Sequence, residues 1–408
     1  MKPLGPIPQG FTSIMGELAV GGRPVSTLVE EAGGTPLFVY STELIRERMA
    51  SLRKAMPERL HLHYAMKANP YLPVLELMEG LADGLDIASG GELHMALGAG
   101  WSGDMISFAG PGKTDAELEA SMRAGVTLNS ESEGEVARAL AIAERTGVKP
   151  RIAVRVNPDF ELRGSGMKMG GGAKQFGVDE ARVPALVRAL IEGGAEWHGF
   201  HIYTGSQALD ADAIIETQAN VLDLAARLAR ESGAGCPHLN MGGGFGIPYF
   251  DRDRPLDIER VGAALAERFD DLPDELRDTE LAIELGRYLL GEAGVYLTRV
   301  VDRKESHGQV FLITDGGLHH QLAASGNFGT VVRRNYPICI ANRMDEEAQV
   351  VANVVGCLCT PLDRLADRAL LPPARVGDLV AVFCAGAYGA SASPSAFLGQ
   401  GPAAEILL

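Results

Sequence analysis

From residue 36 to residue 285 the chain alternates between two hydrophobic periods. Apolar, β-rich runs lie at 36–41, 60–68, 84–89, 105–109, 125–129, 151–157, 197–203, 237–242 and 280–285. Between them are Ala-, Leu-, Glu- and Arg-rich stretches with 3.6-residue spacing, clearest at 70–80, 114–123, 132–146, 180–193, 210–232 and 257–269. Parallel neighbours need long crossovers, so this alternation predicts a parallel sheet covered by helices. Eight such strands run from 60–68 to 280–285, the number that closes a (β/α)8 barrel. An open doubly wound sheet is the alternative, weakened by the lack of a GxGxxG turn after the first strand.

Beyond residue 288 the pattern becomes short β-branched runs separated by turn residues, such as VYLTRVV, VFLIT and DLVAVFC. These predict a second, mostly antiparallel β domain. The expected division is a barrel at 36–287 and a β domain built from 1–35 and 288–408.

The chain is 46% hydrophobic and 22% charged, enough for two packed cores over 408 residues. A net charge of −16 argues against nucleic-acid and anionic-membrane partners. No apolar run approaches the ~18 residues of a membrane span, and MKPLGPIPQGF lacks a signal-peptide core. Five cysteines, an odd number, read as reduced thiols in a cytoplasm. Cys357 and Cys359 have no second Cys/His pair at ligand spacing, so no metal is expected.

Candidate chemistry lies where the strands end, since barrel active sites form at that face. In HLHYAMKAN the period-2 alternation makes Lys67 the last inward-pointing residue of its strand, before Asn69-Pro70 stops the ladder. Such a lysine either reaches water or becomes a nucleophilic amine near low dielectric. Other strands end in Asp86, Arg155, His201 with Ser206, Gly242-Gly243-Gly244-Phe245-Gly246, and Glu284-Leu285-Gly286-Arg287. The glycine run offers backbone N–H groups to a phosphate, although a tight turn is its commoner meaning. Glu284, among apolar residues, needs a cation or a protonated ring nitrogen. A histidine such as His201 is by itself as readily a packed core residue. Lysine, phosphate cradle, ring stacker and carboxylate together describe a pyridoxal 5'-phosphate site.

Those motifs, with Asp315-Gly-Gly, Cys359-Thr-Pro-Leu-Asp363 and Gly386-Ala-Tyr388, resemble the fold-type III pyridoxal-phosphate decarboxylases. This is the diaminopimelate and ornithine decarboxylase family, whose barrel is alanine racemase-like. The resemblance runs through nearly the whole chain in family order. It implies a lyase in which Lys67 links covalently to the cofactor and His201 stacks on its ring. Glu284 would pair with the ring nitrogen, favouring decarboxylation over racemisation. Gly242–Gly246, Ser206, Gly286, Arg287 and Tyr388 would hold the phosphate or the adjacent substrate end, and Asp86 and Arg155 would pair beneath the lysine. It further implies a homodimer with shared sites, in which Asp315, Cys359 and Thr360 meet substrate and Cys359 returns a proton to the α-carbon.

The pattern breaks where a substrate side chain would lie. Thr360 replaces the family's acidic residue, and Ala323-Ala324 stand for an Arg-Pro pair in LHHQLAASGNFG. Two extra residues, Tyr203-Thr204, lengthen the path from His201 to Ser206, and Gly164–Gly172 is glycine-rich, either mobile at the site mouth or a solvated linker. The chain is also similar to decarboxylases of exosortase gene clusters and to those acting on carrier-tethered glutamyl groups. The expected substrate is therefore an amino acid or a carrier-bound aminoacyl group, with His319, His320, Arg333 and Arg334 as candidates to recognise it. The alternatives are a diaminopimelate decarboxylase and a cofactor-binding regulatory protein without turnover.

Overall fold

The computed structural model describes residues 1–164, 166–326 and 333–408. The chain divides into two compact units, one of Met49–Gly246 with Leu256–Leu285, the other of Met1–Arg48, Ile247–Pro255 and Gly286–Leu408.

The first unit is the barrel. Its strands are Leu60–Ala65, Gly84–Ile87, Ile106–Phe108, Thr127–Ser130, Arg151–Asn157, Glu196–His201, His238–Gly243 and Glu280–Leu285. Each pairs in parallel with its sequence neighbours, and Leu281↔Leu60 through Leu285↔Tyr64 close the eighth strand on the first. The eight runs read from the hydrophobic pattern are these eight strands. Helix boundaries follow local chemistry. Thr114 and Glu117 form a capping box before Asp115–Ala124, and Gly125 ends that helix at φ +78°. Ser132 caps Glu133–Thr146 by accepting from Glu135 N, and Gly147 ends that helix at φ +73°.

The first strand is shorter than its apolar run. Met66–Ala68 form a 3-10 turn, closed by the Asn69 N–H on the Met66 carbonyl at 3.1 Å. The Tyr64 hydroxyl fixes it by donating to the Asn69 carbonyl at 2.7 Å. Lys67 therefore stands beyond the strand, exposed on a turn, not as its last inward residue. Those two bonds are the physical reason, because they commit the Met66 and Asn69 carbonyls and the Asn69 N–H to the turn and not to the ladder.

The other unit is built on a mostly antiparallel sheet in the order Ile338–Ile340, Leu379–Phe383, Gly294–Ser306, Gln309–Thr314, Val350–Val355, Arg364–Leu371. Leu37–Tyr40, inside the 36–287 span expected for the barrel, pairs here with Gly294–Leu297 and with Ala404–Leu407. All four of its residues are buried. Leu18, Val20 and Leu28 from the N-terminal segment share a core with Leu37, Val295, Leu297 and Phe383. Among the described residues no helix is long and apolar enough to cross a membrane.

Candidate active site

At the C-terminal end of the barrel, two buried side chains meet. His201, the last residue of the sixth strand, places Nε2 2.9 Å from Glu284 Oε2. Asn240 on the seventh strand donates its amide to the same oxygen at 3.2 Å. Burial opposes charge on Glu284, but His201, Lys67 and Arg155 outweigh it and hold the carboxyl below its ordinary range. The Lys67 ammonium lies 5.5 Å from the Tyr203 ring centre, and its charge also acts on Glu92.

The glycine run beside Glu284 tolerates no side chain. A Cβ on Gly243 would lie 2.0 Å from the Glu284 carbonyl, and one on Gly244 2.4 Å from that of Gly205. Gly242 and Gly244 also have φ of +69° and +78°, which L-residues rarely adopt. Ser206 is buried in the neighbouring loop, where Gly205–Ser206 pair antiparallel with Met167–Lys168. The Thr204 carbonyl accepts from Met169 N at 3.0 Å and Gly170 N at 3.2 Å. The lengthened loop and the glycine-rich segment are thus laddered together; Ser165 lies outside the described residues.

The expected pair of Asp86 and Arg155 does not form. Arg155 Nη1 donates to Glu131 Oε1 at 2.7 Å, and Glu131 also accepts from Gly110 N and Gly177 N. Asp86 instead accepts from the Ser107 hydroxyl, and its second oxygen lies 3.5 Å from His63 Nδ1. The reason is barrel geometry: Asp86 is on the second strand and Arg155 on the fifth, whereas Glu131 directly follows the adjacent fourth strand. Sequence reasoning missed Glu131 and His63. Glu131 follows a strand end, and His63 shares the period-2 face of HLHYAMK, so both carried a positional signal.

In the other unit, Arg287 opens the short helix Arg287–Leu290. Its Nη1 donates to the Tyr249 hydroxyl at 2.8 Å, and its guanidinium lies 4.8 Å from the Tyr388 ring centre. Burial works against its charge, while Tyr249, Tyr388 and Tyr336 raise its pKa. Among the described residues no carboxylate forms an ion pair with it. Tyr388 holds a φ of +57°, a strain of the kind stored at functional positions.

Cys359 is exposed on a loop stitched by the buried Asp363, which accepts from Leu318 N at 2.7 Å and Leu358 N at 2.9 Å. Thr360 caps the same turn through Leu362 N at 3.3 Å. Asp315 accepts from the Thr298 hydroxyl at 2.7 Å and Arg299 N at 2.8 Å on one oxygen and from the Thr35 hydroxyl on the other, so both of its oxygens already serve the fold. His319 and His320 lie in the interior, His320 bridging the Tyr296 hydroxyl at 3.1 Å and the Gly401 carbonyl at 3.0 Å. Arg334 stacks 3.6 Å from the Phe250 ring centre, and Arg333 donates to the Arg364 carbonyl at 3.2 Å. Ala323 and Ala324 begin a short 3-10 turn; residues 327–329 of that segment lie outside the described residues.

These residues fit pyridoxal 5'-phosphate. A charged carboxylate waits at depth, and among the described residues the buried His201 Nδ1 has no hydrogen-bond partner. The glycine run brings bare backbone to the barrel mouth, as a phosphate requires.

Comparison with known proteins agrees. Residues 42–291 match the family model for the pyridoxal-binding domain of pyridoxal-dependent decarboxylases. The L-glutamyl-[BtrI acyl-carrier protein] decarboxylase of Niallia circulans is 38% identical over 379 residues, covering 91% of this chain and 88% of that one. The diaminopimelate decarboxylase of Archaeoglobus fulgidus is 34% identical over 401 residues, covering 98% and 93%. Among solved structures, Helicobacter pylori diaminopimelate decarboxylase complexed with L-lysine superposes with a TM-score of 0.83 at 27% identity, covering 94% of each chain. The chain belongs to the pyridoxal-dependent decarboxylases and is an enzyme that uses pyridoxal 5'-phosphate.

Proposed function

We propose that this decarboxylase removes the α-carboxylate of an amino acid that has no free distal amine, and that a glutamyl group tethered to a carrier protein is its substrate. The observation that carries this is the lack of charge at the positions that correspond to the family's distal-group contacts, Thr360, Ala323 and Ala324. The Niallia circulans relative, named for such a substrate, supports it.

When bound, the cofactor supplies an electron sink for the pair of electrons left by CO2 loss. The chain's own residues do the rest in this reading. Lys67 anchors the cofactor, and His201 covers the ring face. Glu284, kept as a carboxylate, holds a proton at the ring nitrogen. Gly242–Gly246 and Ser206 take the phosphate. Arg287, a half-buried cation paired among the described residues with phenols and not with a carboxylate, takes an anionic group of cofactor or substrate, with Tyr388 beside it. Each turnover releases CO2 and places one proton on the α-carbon, and Cys359, supplied by the second protomer of a homodimer, delivers that proton. All five cysteines are free thiols, which supports a reducing cytoplasm as its location.

The test is CO2 release from glutamyl-carrier protein set against free glutamate, ornithine, lysine and diaminopimelate. Preferential release from the carrier-linked substrate is expected. Faster turnover of diaminopimelate would overturn the substrate assignment and favour the reading suggested by the Archaeoglobus relative.

A further inference from the structure

The N-terminal end of the barrel holds an unusual set of side chains. His61 and His63 come from the first strand, His198 from the sixth and His238 from the seventh, so four of the nine histidines meet there. With Asp83 and Glu280 they line a cavity of about 140 Å³. A polar space of that size has room for several waters. Its rim reaches solvent, because the His61 and Glu280 side chains are 40% and 52% exposed and 3.2 Å apart. Its inner wall includes Ser107 and Asn240. Ser107 donates to Asp86 and Asn240 donates to Glu284. The cavity thus leads from solvent to groups that touch both cofactor-side carboxylates.

His63 sits between those carboxylates. On one side strand register sets it beside Glu284. On the other it lies beside Gly84, where any Cβ would meet its ring at 2.6 Å, so the glycine makes room for it. Its Nδ1 faces Asp86 Oδ2 across 3.5 Å, and among the described residues both buried atoms have no other partner.

We infer that His63 is a positioning residue, a buried imidazolium that exchanges protons with solvent through the cavity and balances Asp86 and Glu284 beneath the cofactor. The groups facing it agree. Burial opposes its charge, but Asp86, Glu284 and Asp83 raise it above the ordinary histidine value. His238, stacked at 5.6 Å, is held neutral by burial and by the neighbouring His63 and His198. Burial likewise lowers His198. Glu280 draws the proton on the outer side to His61. Of the four cavity histidines, His63 is therefore the cation that faces the two inner carboxylates, and Lys67, His201 and Arg155 act on Glu284 as well.

The inference rests on reading Asp86 and Glu284 as cofactor-side groups, so it is tested at two levels. In the apo protein carrying 15N-histidine, the His63 ring, assigned through its contact with Gly84, should titrate above about 6.5. A ring that is neutral at pH 6 overturns the inference, whatever the substrate proves to be. In the holoenzyme, His63→Asn removes a positive charge and so raises the pKa of every nearby group. The acid limb of kcat and the absorbance titration of the bound cofactor should both move up by about 1 pH unit, with KM changing less than about twofold. An unchanged profile and spectrum in a folded variant would leave His63 a packing residue and overturn the positioning role. Should the variant not fold, the wild-type titration still decides.

Discussion

Glu284 accepts from Asn240 at 3.2 Å and lies 2.9 Å from His201 Nε2, so a carboxylate at the base of the catalytic end of the barrel is kept charged in a buried place. Replacing it with Gln keeps the shape and removes the charge. Glu284→Gln should lower kcat by about 100-fold, on the order of 3 kcal/mol for a lost charged hydrogen bond, with little change in KM. Steady-state CO2 release measures this, and wild-type rates would argue against a charge-dependent electron sink.

The same carboxylate links stability to pH. Its folded pKa lies below the ordinary value of 4.5, so its contribution is fully present above that value and is lost as pH falls through the folded pKa. Urea denaturation should show wild-type stability falling below about pH 4.5. Glu284→Gln should show a shallower fall over the same window.

Arg287 is a half-buried cation whose described partners are phenols, Tyr249 at 2.8 Å among them. Arg287→Met should weaken binding of pyridoxal phosphate or raise KM for substrate by about tenfold or more. Arg287→Lys should restore little, because the planar fork is lost. Cofactor titration of the apo protein separates the two effects. An unaffected Kd and KM would remove Arg287 from anion binding.

Asp363 holds the Cys359 loop through two backbone N–H groups. Asp363→Ala leaves both donors unpaired and should cost about 2–4 kcal/mol of stability. If Cys359 is the proton donor, the variant should also slow turnover or release misprotonated products while the cofactor spectrum stays normal. Thermal melts and product analysis check the two parts separately.

Shared sites in a homodimer make a further prediction. Lys67→Ala and Cys359→Ala protomers are each expected to be nearly inactive alone. Mixed at random, about half the dimers are hybrids with one intact site, so about a quarter of wild-type activity should return. No recovery after verified subunit exchange would count against shared sites.

The eight barrel strands were legible because a parallel sheet buried on both faces needs near-continuous apolar runs, and its crossovers carry a separate 3.6-residue period. The mostly antiparallel sheet was legible for the same kind of reason, from β-branched runs with turn residues between them. Lys67, His201, Glu284 and Gly242–Gly246 could be singled out as candidates because each breaks its local pattern: a polar side chain at a strand end, or glycines where a side chain would collide. Only tertiary structure decided who pairs with whom. Arg155 chose Glu131 over Asp86 because strand order puts Glu131 next door, and His63 came to lie between Asp86 and Glu284 because the eighth strand closes on the first. Such partnerships join residues far apart in the chain, and periodicity records which face a side chain occupies but not what waits across the barrel.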